Sequence, residues 1–383
     1  MLKTLVTGVL FFTGSAFAKP VQCVNIKPLY KPQSNSPFLQ KRYQENLRET
    51  RDALALLSFS IYQDNPYNLP GNDGVDPNLA MNKREFADGA GFVIDYKITK
   101  GIDTSQTSRP SKEVQVIILR GTYTNADWVD NANYFLTSPY PDQQYGLAHT
   151  GFYRTAIKMR DELLGSDGNQ ALLERNPNKP VLIAGHSRGG ALSVMLGNLL
   201  VRERGITTLG VFPFAAPKIG DKRFTNHVFN RMLIGRIHAT QTDGDAAPFT
   251  PPDLRVVSLL KKQEGGALFM LKEIGYKFLV TLLEAESKRY VDFPSHYDRI
   301  ASGDSSDADS CLLAISKLVG YHIFNYGLDF PQTPTSPEEA WKALMEEVDF
   351  IDPVENLDSC KIHHTDAYIE QLGLDKKMLC AVK

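Results

Sequence analysis

A run of apolar residues that ends in a Gly-x-Ser-x-Gly motif constrains the fold of this chain more than any other feature. Val181 to His186 has the pattern of a buried strand, Ser187 follows it, and apolar residues continue at helical spacing to Leu200. A strand, a sharp turn and a helix around such a serine are typical of a nucleophile elbow. The loop has neither of the glycine spacings of the common nucleotide-binding turns. The pattern therefore predicts a nucleophilic serine at position 187.

Residues 1–18 have the features of a signal peptide. Lys3 supplies a positive charge, an apolar stretch follows, and Ala16 to Ala18 is a small-x-small cleavage site. The apolar stretch is shorter than the roughly 20 residues that a membrane-spanning helix needs. We therefore expect a secreted or periplasmic protein whose mature chain begins at Lys19.

Charge and cysteine content exclude some classes of function. The net charge is -2 and no Lys/Arg-rich run occurs, so we expect no nucleic-acid partner. An even number of cysteines in an exported chain predicts disulfides, with three possible pairings among Cys23, Cys311, Cys360 and Cys380. None of these cysteines has zinc-site spacing, and the pair His363-His364 alone is weak evidence, so we expect no metal.

Other segments predict a layered α/β fold. Residues 40–63 have apolar positions at helical spacing. Phe92 to Tyr96 and Val114 to Leu119 have the pattern of strands, and the polar turn between them favours an antiparallel pair. Two further apolar strands are predicted after the elbow, at Leu209 to Ala216 and Arg236 to Thr242. No convincing interdomain linker occurs, so we expect one domain over residues 19–383.

Between residues 115 and 252, a series of motifs resembles the class 3 lipases, the family of the fungal triacylglycerol lipases and related esterases. In family order, the chain has Arg-Gly-Thr at a strand end, Asp-Trp, His-Thr-Gly-Phe, Gly-His-Ser-Arg-Gly-Gly and Asp-Ala-Ala-Pro. The resemblance implies an α/β-hydrolase fold, with a mostly parallel central sheet flanked by helices. It also implies hydrolysis of lipid or other carboxylic esters without a cofactor. The chain departs from the family at Arg188, where Leu is common.

The resemblance also implies an oxyanion hole and a lid. Two residues would donate to the oxyanion: Arg188 through its backbone N–H, and Thr122 through its N–H and its hydroxyl. Thr122 also suits a simple turn. Asp127 and Trp128 fall in the candidate lid, residues 125–135. This segment is expected either to open at a lipid surface or to be a fixed helix.

The order Ser, acid, His in this fold guides the choice of the other catalytic residues. Asp245 is favoured over Asp243 as the acid because its Asp-x-x-Pro resembles the acid segment of the family. The base is expected near the C-terminus, before a short helix that carries an aromatic residue, which favours His363. Candidates left open are His364 and His296 chiefly, and then His322. His149 and His186 are expected to hold loops rather than to act as bases.

A long insertion lies between the acid and the base, over about residues 255–350. It contains a predicted helix at Ala267 to Leu283, and another begins at Ser336. The first helix is expected to pack on the core, and the alternative is a cap or a membrane-surface helix.

These features together predict a secreted serine hydrolase that cleaves lipid esters through an acyl-enzyme on Ser187. A phospholipase A or a lipid acyltransferase with the same triad is the first alternative. A catalytically inactive, lipid-binding member of the fold is the second. We expect a monomer that contacts a lipid interface transiently.

Overall fold

The computed structural model describes residues 26–27, 29, 35–61, 83–97, 113–122, 127, 131, 136–139, 144–166, 168–176, 178–242, 245–250, 289–291, 293, 298–299, 368–369 and 371–374. Several predictions fall outside these residues. They concern the signal peptide, all the cysteines, both helices of the insertion, Trp128, Asp243, His296, His322, His363 and His364.

The described residues form a seven-stranded main sheet and a separate two-stranded sheet. The strands of the main sheet are β1 (Lys83–Phe86), β2 (Gly91–Lys97), β3 (Glu113–Leu119), β6 (Val181–His186), β7 (Thr208–Phe214), β8 (Thr240–Gln241) and β9 (Asp298–Arg299). They lie side by side in that order. The first three are antiparallel, and β3 and the strands after it run parallel. The small sheet pairs β4 (Leu136–Thr137) with β5 (Ala148–His149).

Helices cover the main sheet. They are α1 (Pro37–Ser60), α2 (Thr150–Leu164), α3 (Arg188–Leu200) and α4 (Lys222–His227), which a π-helix continues over Val228–Met232. A short 3-10 helix spans Ala247–Phe249. None of the helices in the described part of the chain is both long and apolar enough to cross a membrane.

The main sheet is buried on both faces. Along β3, Ile117 and Leu119 pack in the core that also contains α2 and α3, whereas Val116 and Ile118 pack in the core that contains α1. This alternation follows from the period of two residues in a strand. Each large apolar side chain that is fully buried in this way contributes about 1.5–3 kcal/mol. Burial on both faces explains the continuous apolar runs Val116 to Leu119 in β3 and Val181 to Ala184 in β6.

The fold prediction is confirmed: the central sheet is mostly parallel, helices flank it, and β2 and β3 form the antiparallel pair, with Ile94 opposite Val116. The predicted strand Arg236 to Thr242 is not continuous. Ile237 pairs with β7 at an isolated bridge, and Thr240 of β8 pairs with β7 again. The hydrogen-bond ladder is interrupted between these two residues. The insertion contributes β9 to the sheet, which the sequence did not predict. The extent of the single domain stays a prediction.

Candidate active site

Three of the predicted site residues follow strands that end at the same edge of the sheet. Thr122 comes shortly after β3, Ser187 directly after β6, and Asp245 four residues after β8. These strands are parallel, so their carboxyl ends lie at one edge. Open α/β sheets bind their ligands at this edge. The topology therefore brings together residues that are far apart in sequence.

The backbone of Ser187 is strained. Its φ of 56° and ψ of -127° lie in a region that residues with side chains rarely adopt. The Ser187 N–H donates to the Phe214 carbonyl at 2.9 Å, and its carbonyl accepts from the Gly190 N–H at 2.8 Å. The neighbouring strand and helix thus hold the serine at the apex of a sharp turn. Strain of this kind is typical of a functional position, and here it is the geometry of a nucleophile elbow.

Two glycines allow the close approach of strand and helix at this turn. A β-carbon on Gly185 would collide with the Gly189 carbonyl, and one on Gly189 would collide with the Leu119 carbonyl at the end of β3. Both obstacles are backbone atoms, which cannot rotate away. The two glycines of the Gly-x-Ser-x-Gly motif are therefore required by the packing of β6 and α3 against each other and against β3.

Asp245 is fully buried and held by two donors. Its Oδ1 accepts from the Ala247 N–H at 2.9 Å, and its Oδ2 accepts from the Tyr368 hydroxyl at 2.6 Å. Burial raises the pKa of Tyr368 well above its usual value, and the nearby carboxylate raises it further. The phenol therefore stays protonated and remains a donor. The Thr242 N–H donates to the same phenol oxygen at 3.1 Å, which fixes its position.

Thr122 is held by a side chain from the candidate lid. The Asn131 Nδ2 donates to the Thr122 Oγ1 at 2.7 Å. Because this oxygen is the acceptor in that bond, the hydroxyl hydrogen of Thr122 is available as a donor. An oxyanion hole requires donors that are fixed before charge develops, and the contact with Asn131 provides such a constraint.

The Arg188 side chain turns inward and binds Asp127. Its Nη1 lies 2.8 Å from the Asp127 Oδ1, with both side chains buried. The Arg120 Nη2 lies 3.8 Å from the other carboxylate oxygen, Oδ2. A buried charge is tolerated when an opposite charge compensates it, so these residues depend on one another. Asp127 is thus tied to the end of β3 and to the start of α3.

His149 and His186 contact neighbouring residues through their rings. The His149 Nδ1 accepts from the Phe152 N–H at 3.3 Å, and its Nε2 lies 3.2 Å from the Asn131 carbonyl. Complete burial lowers the pKa of His149 to about 3, so its ring is neutral and Nε2 carries the proton. The His186 ring packs edge-on against Phe59 and Tyr368.

Sequence reasoning missed the roles of two residues at this edge. Asn131 follows Asp127 by one helical turn, so helical spacing was a signal that both face the same side. Tyr368 was noted only as the aromatic residue of the C-terminal segment, and no local signal indicated its bond to Asp245. Trp128 and the candidate bases lie outside the described residues, so their placement stays a prediction.

The described arrangement suits acyl transfer. It provides a strained serine, a buried carboxylate and two candidate oxyanion donors at one sheet edge. Within the described ranges, no three side chains of His, Cys, Asp or Glu are grouped as metal ligands.

Comparison with known proteins links this geometry to a family. Residues 116–254 match the family model Lipase (class 3). No curated protein matches the chain significantly. Among solved structures, the chain is similar to a Rhizomucor miehei lipase in complex with its propeptide, at 19% identity, with 64% of this chain and 73% of that chain covered and a TM-score of 0.36.

Two further solved structures are similar. M37 lipase is 15% identical, with 84% of this chain and 98% of that chain covered and a TM-score of 0.40. Lipase II from Rhizopus niveus is 17% identical, with 54% of this chain and 76% of that chain covered and a TM-score of 0.38. These values are low, and the fold assignment rests on the strand order and the elbow described above. Residues 116–254 thus match the class 3 lipase family, which confirms the resemblance that the motifs predicted.

Proposed function

We propose that the protein hydrolyses carboxylic esters of lipids through an acyl-enzyme on Ser187. The observation that carries this proposal is the strained backbone of Ser187 at the turn between β6 and α3. Such a conformation costs on the order of 1–3 kcal/mol and persists when the surrounding structure imposes it. The class 3 lipase match of the surrounding residues supports ester hydrolysis as the use of that strain.

The reaction would proceed in two steps. The Ser187 hydroxyl attacks the ester carbonyl while a histidine takes its proton and passes it to the departing alcohol. Water then attacks the acyl-enzyme by the same route, and the acid is released. The Arg188 N–H and the Thr122 donors would stabilise the oxyanion of each tetrahedral intermediate, and loss of one such donor typically costs about 2.7–4 kcal/mol.

Asp245 would orient the histidine and stabilise its charged form. Its burial and its bonds to Ala247 and Tyr368 support this role, because they fix the carboxylate in one orientation. Asp243 is the alternative acid that the sequence offers.

His363 is our preferred base. It precedes Tyr368 by five residues, and an extended chain spans at most about 3.3–3.6 Å per residue, so its imidazole is within reach of Asp245. The same argument holds for His364, and resemblance to the family's C-terminal segment favours His363. His296 precedes β9 by two residues, and the amino end of β9 lies at the sheet edge opposite to that of Asp245. The direction of β9 therefore disfavours His296 as the base.

We further propose that the substrate is a lipid ester reached at an interface and that the protein is exported. Trp128, Val129, Ala132 and Phe135 of the candidate lid are apolar residues at helical spacing, which supports the first point. The signal-peptide features of residues 1–18 support the second.

A panel of p-nitrophenyl esters and phospholipids tests the proposal. The wild-type protein should hydrolyse the esters, and Ser187→Ala should fold normally yet lose about 10⁵–10⁶-fold in kcat, because triad residues act as a unit. Equal turnover by the variant would contradict the mechanism. Release of fatty acid from phospholipids alone would identify a phospholipase A.

A further inference from the structure

The residue after the candidate nucleophile has a second contact with the site. Its backbone N–H is a proposed oxyanion donor, and its side chain lies in the interior, where only 3% of it is exposed. A leucine, which is common at this position in the family, would place no charge in the interior. Arg188 instead brings a guanidinium next to the segment that follows the other donor, Thr122.

Asp127 receives that guanidinium. One carboxylate oxygen lies 2.8 Å from Arg188 at the start of α3, and the other lies 3.8 Å from Arg120 at the end of β3. Since β3 and β6 are adjacent parallel strands, the carboxylate joins the carboxyl ends of two neighbouring strands. Only 9% of the Asp127 side chain is exposed, so solvent screens this contact little.

Asn131, four residues after Asp127, connects this ion pair to Thr122. Asp127 and Asn131 both have helical backbone and are four residues apart, which places them on one face. The Asn131 side chain donates to the Thr122 Oγ1 at 2.7 Å, and the Asn131 carbonyl lies 3.2 Å from the neutral ring of His149. The backbone of Asn131 is therefore held by His149, in addition to the bond of its side chain to Thr122.

We propose that the Arg188 side chain is a positioning residue that binds Asp127, thereby helps to hold Asn131 four residues further on, and so orients the Thr122 hydroxyl toward the oxyanion. This inference rests on the proposed ester hydrolysis. Arg188 then determines the positions of both donors. It provides the first donor with its own backbone N–H, and it orients the second, the Thr122 hydroxyl, through its side chain. The spacing between the donors is thereby fixed before substrate binds, which is what oxyanion stabilisation requires.

The test compares kcat and KM for a soluble short-chain p-nitrophenyl ester. Arg188→Leu keeps the backbone N–H and removes the guanidinium, and Asp127→Asn removes its partner charge. Each should lower kcat by about 10–100-fold, the size of effect expected from a displaced donor, with KM within about threefold. The double variant should lose about as much as either single one, because all three lack the same ion pair.

The control is Arg84→Leu, which breaks another ion pair. The Arg84 Nη1 lies 2.7 Å from the Asp95 Oδ2, and Asp95 is next to Gln115, near the amino end of β3. This variant should lower the melting temperature and leave kcat unchanged. If Arg188→Leu fails to fold, Arg188→Lys and Asp127→Asn are compared instead. Arg188→Lys keeps a positive charge near Asp127 and should therefore have a higher kcat than Asp127→Asn.

The outcomes separate the two proposals. An active wild-type enzyme whose kcat is unchanged by Asp127→Asn and by a folded Arg188→Leu overturns the positioning role alone. A wild-type protein that neither hydrolyses the esters nor reacts with a fluorophosphonate at Ser187 overturns the proposed function, and the positioning role falls with it.

Discussion

The bond between Tyr368 and Asp245 joins residues that are 123 positions apart in the chain. The phenol is fully buried between Phe59 and His186, so its hydroxyl must bind a polar group. It binds the carboxylate that we propose as the catalytic acid. Tyr368 thereby lies beside that acid, where the proposed base is needed.

Tyr368→Phe tests this contact. The variant keeps the ring and removes one donor to the carboxylate, and a hydrogen bond to a charged group contributes about 1.5–3 kcal/mol. We expect a lower melting temperature and about a tenfold or greater loss of kcat. Tyr153→Phe is the matched control, since it removes a bond of 3.0 Å to the neutral Pro139 carbonyl. An equal kcat for the two variants would contradict the role of Tyr368.

His149 makes the stability depend on pH. Burial lowers its pKa to about 3, below the usual value of 6.5. Between these two values the unfolded chain binds a proton that the folded chain does not, so stability falls as pH is lowered through this window.

We expect the free energy of unfolding in urea to decrease between pH 6.5 and pH 4 in the wild-type protein. This single group contributes at most about 1.4 kcal/mol per pH unit. His149→Asn keeps a side chain that can cap α2 and should show a shallower decrease. Identical slopes for the two proteins would contradict the assignment of this pH dependence to His149.

At the scale of elements, the sequence predicted those parts whose residues follow a clear local pattern. β3 and β6 contain continuous apolar runs because both faces of the sheet are covered, and the elbow is marked by its glycines. Helix α1 was expected at residues 40–63 and spans Pro37–Ser60, starting where Pro37 occupies its first turn.

The elements that were missed lack such a pattern. β9 consists of Asp298 and Arg299, two charged residues that carry no apolar signal, and it is a strand only because β8 lies beside it. β1 consists of three charged residues followed by Phe86, so only its last residue is apolar and typical of a buried strand. Tertiary pairing determines such strands, and local sequence does not.

The candidate lid, residues 125–135, has apolar residues at helical spacing, namely Trp128, Val129, Ala132 and Phe135. We expect these apolar side chains to gate access to Ser187 by moving, while Asp127 and Asn131 keep their contacts with Arg188 and Thr122. The apolar face of the lid is small, so closure over the site should contribute only a few kcal/mol, at about 25 cal/mol per Å² buried. A lipid interface can reverse a difference of this size.

The measurement is the hydrolysis rate of a short-chain ester as its concentration passes the solubility limit. We expect the rate to rise abruptly where droplets form, and to lose that rise when an engineered disulfide pins the segment. A smooth hyperbola in both proteins would mean that the segment is a fixed part of the scaffold.

At the scale of the whole molecule, the sequence predicts export. Residues 1–18 should be removed, and the four cysteines should be oxidised in a secreted or periplasmic compartment. Protein recovered from the medium or periplasm should begin at Lys19 and show no free thiol when denatured. Edman sequencing and thiol titration measure both properties, and four titratable thiols would refute the disulfide prediction.

The central claim is that Ser187 becomes acylated, and covalent labelling tests it most directly. The wild-type protein is treated with a fluorophosphonate, digested, and its labelled peptide identified by mass spectrometry. Ser193 is a matched control, because it lies six residues further on and its hydroxyl donates to the Gly190 carbonyl within α3. We predict stoichiometric label on Ser187, retained in Ser193→Ala and absent in Ser187→Ala. Ester hydrolysis that persists with no label on Ser187, or with the label on another residue, would contradict the account.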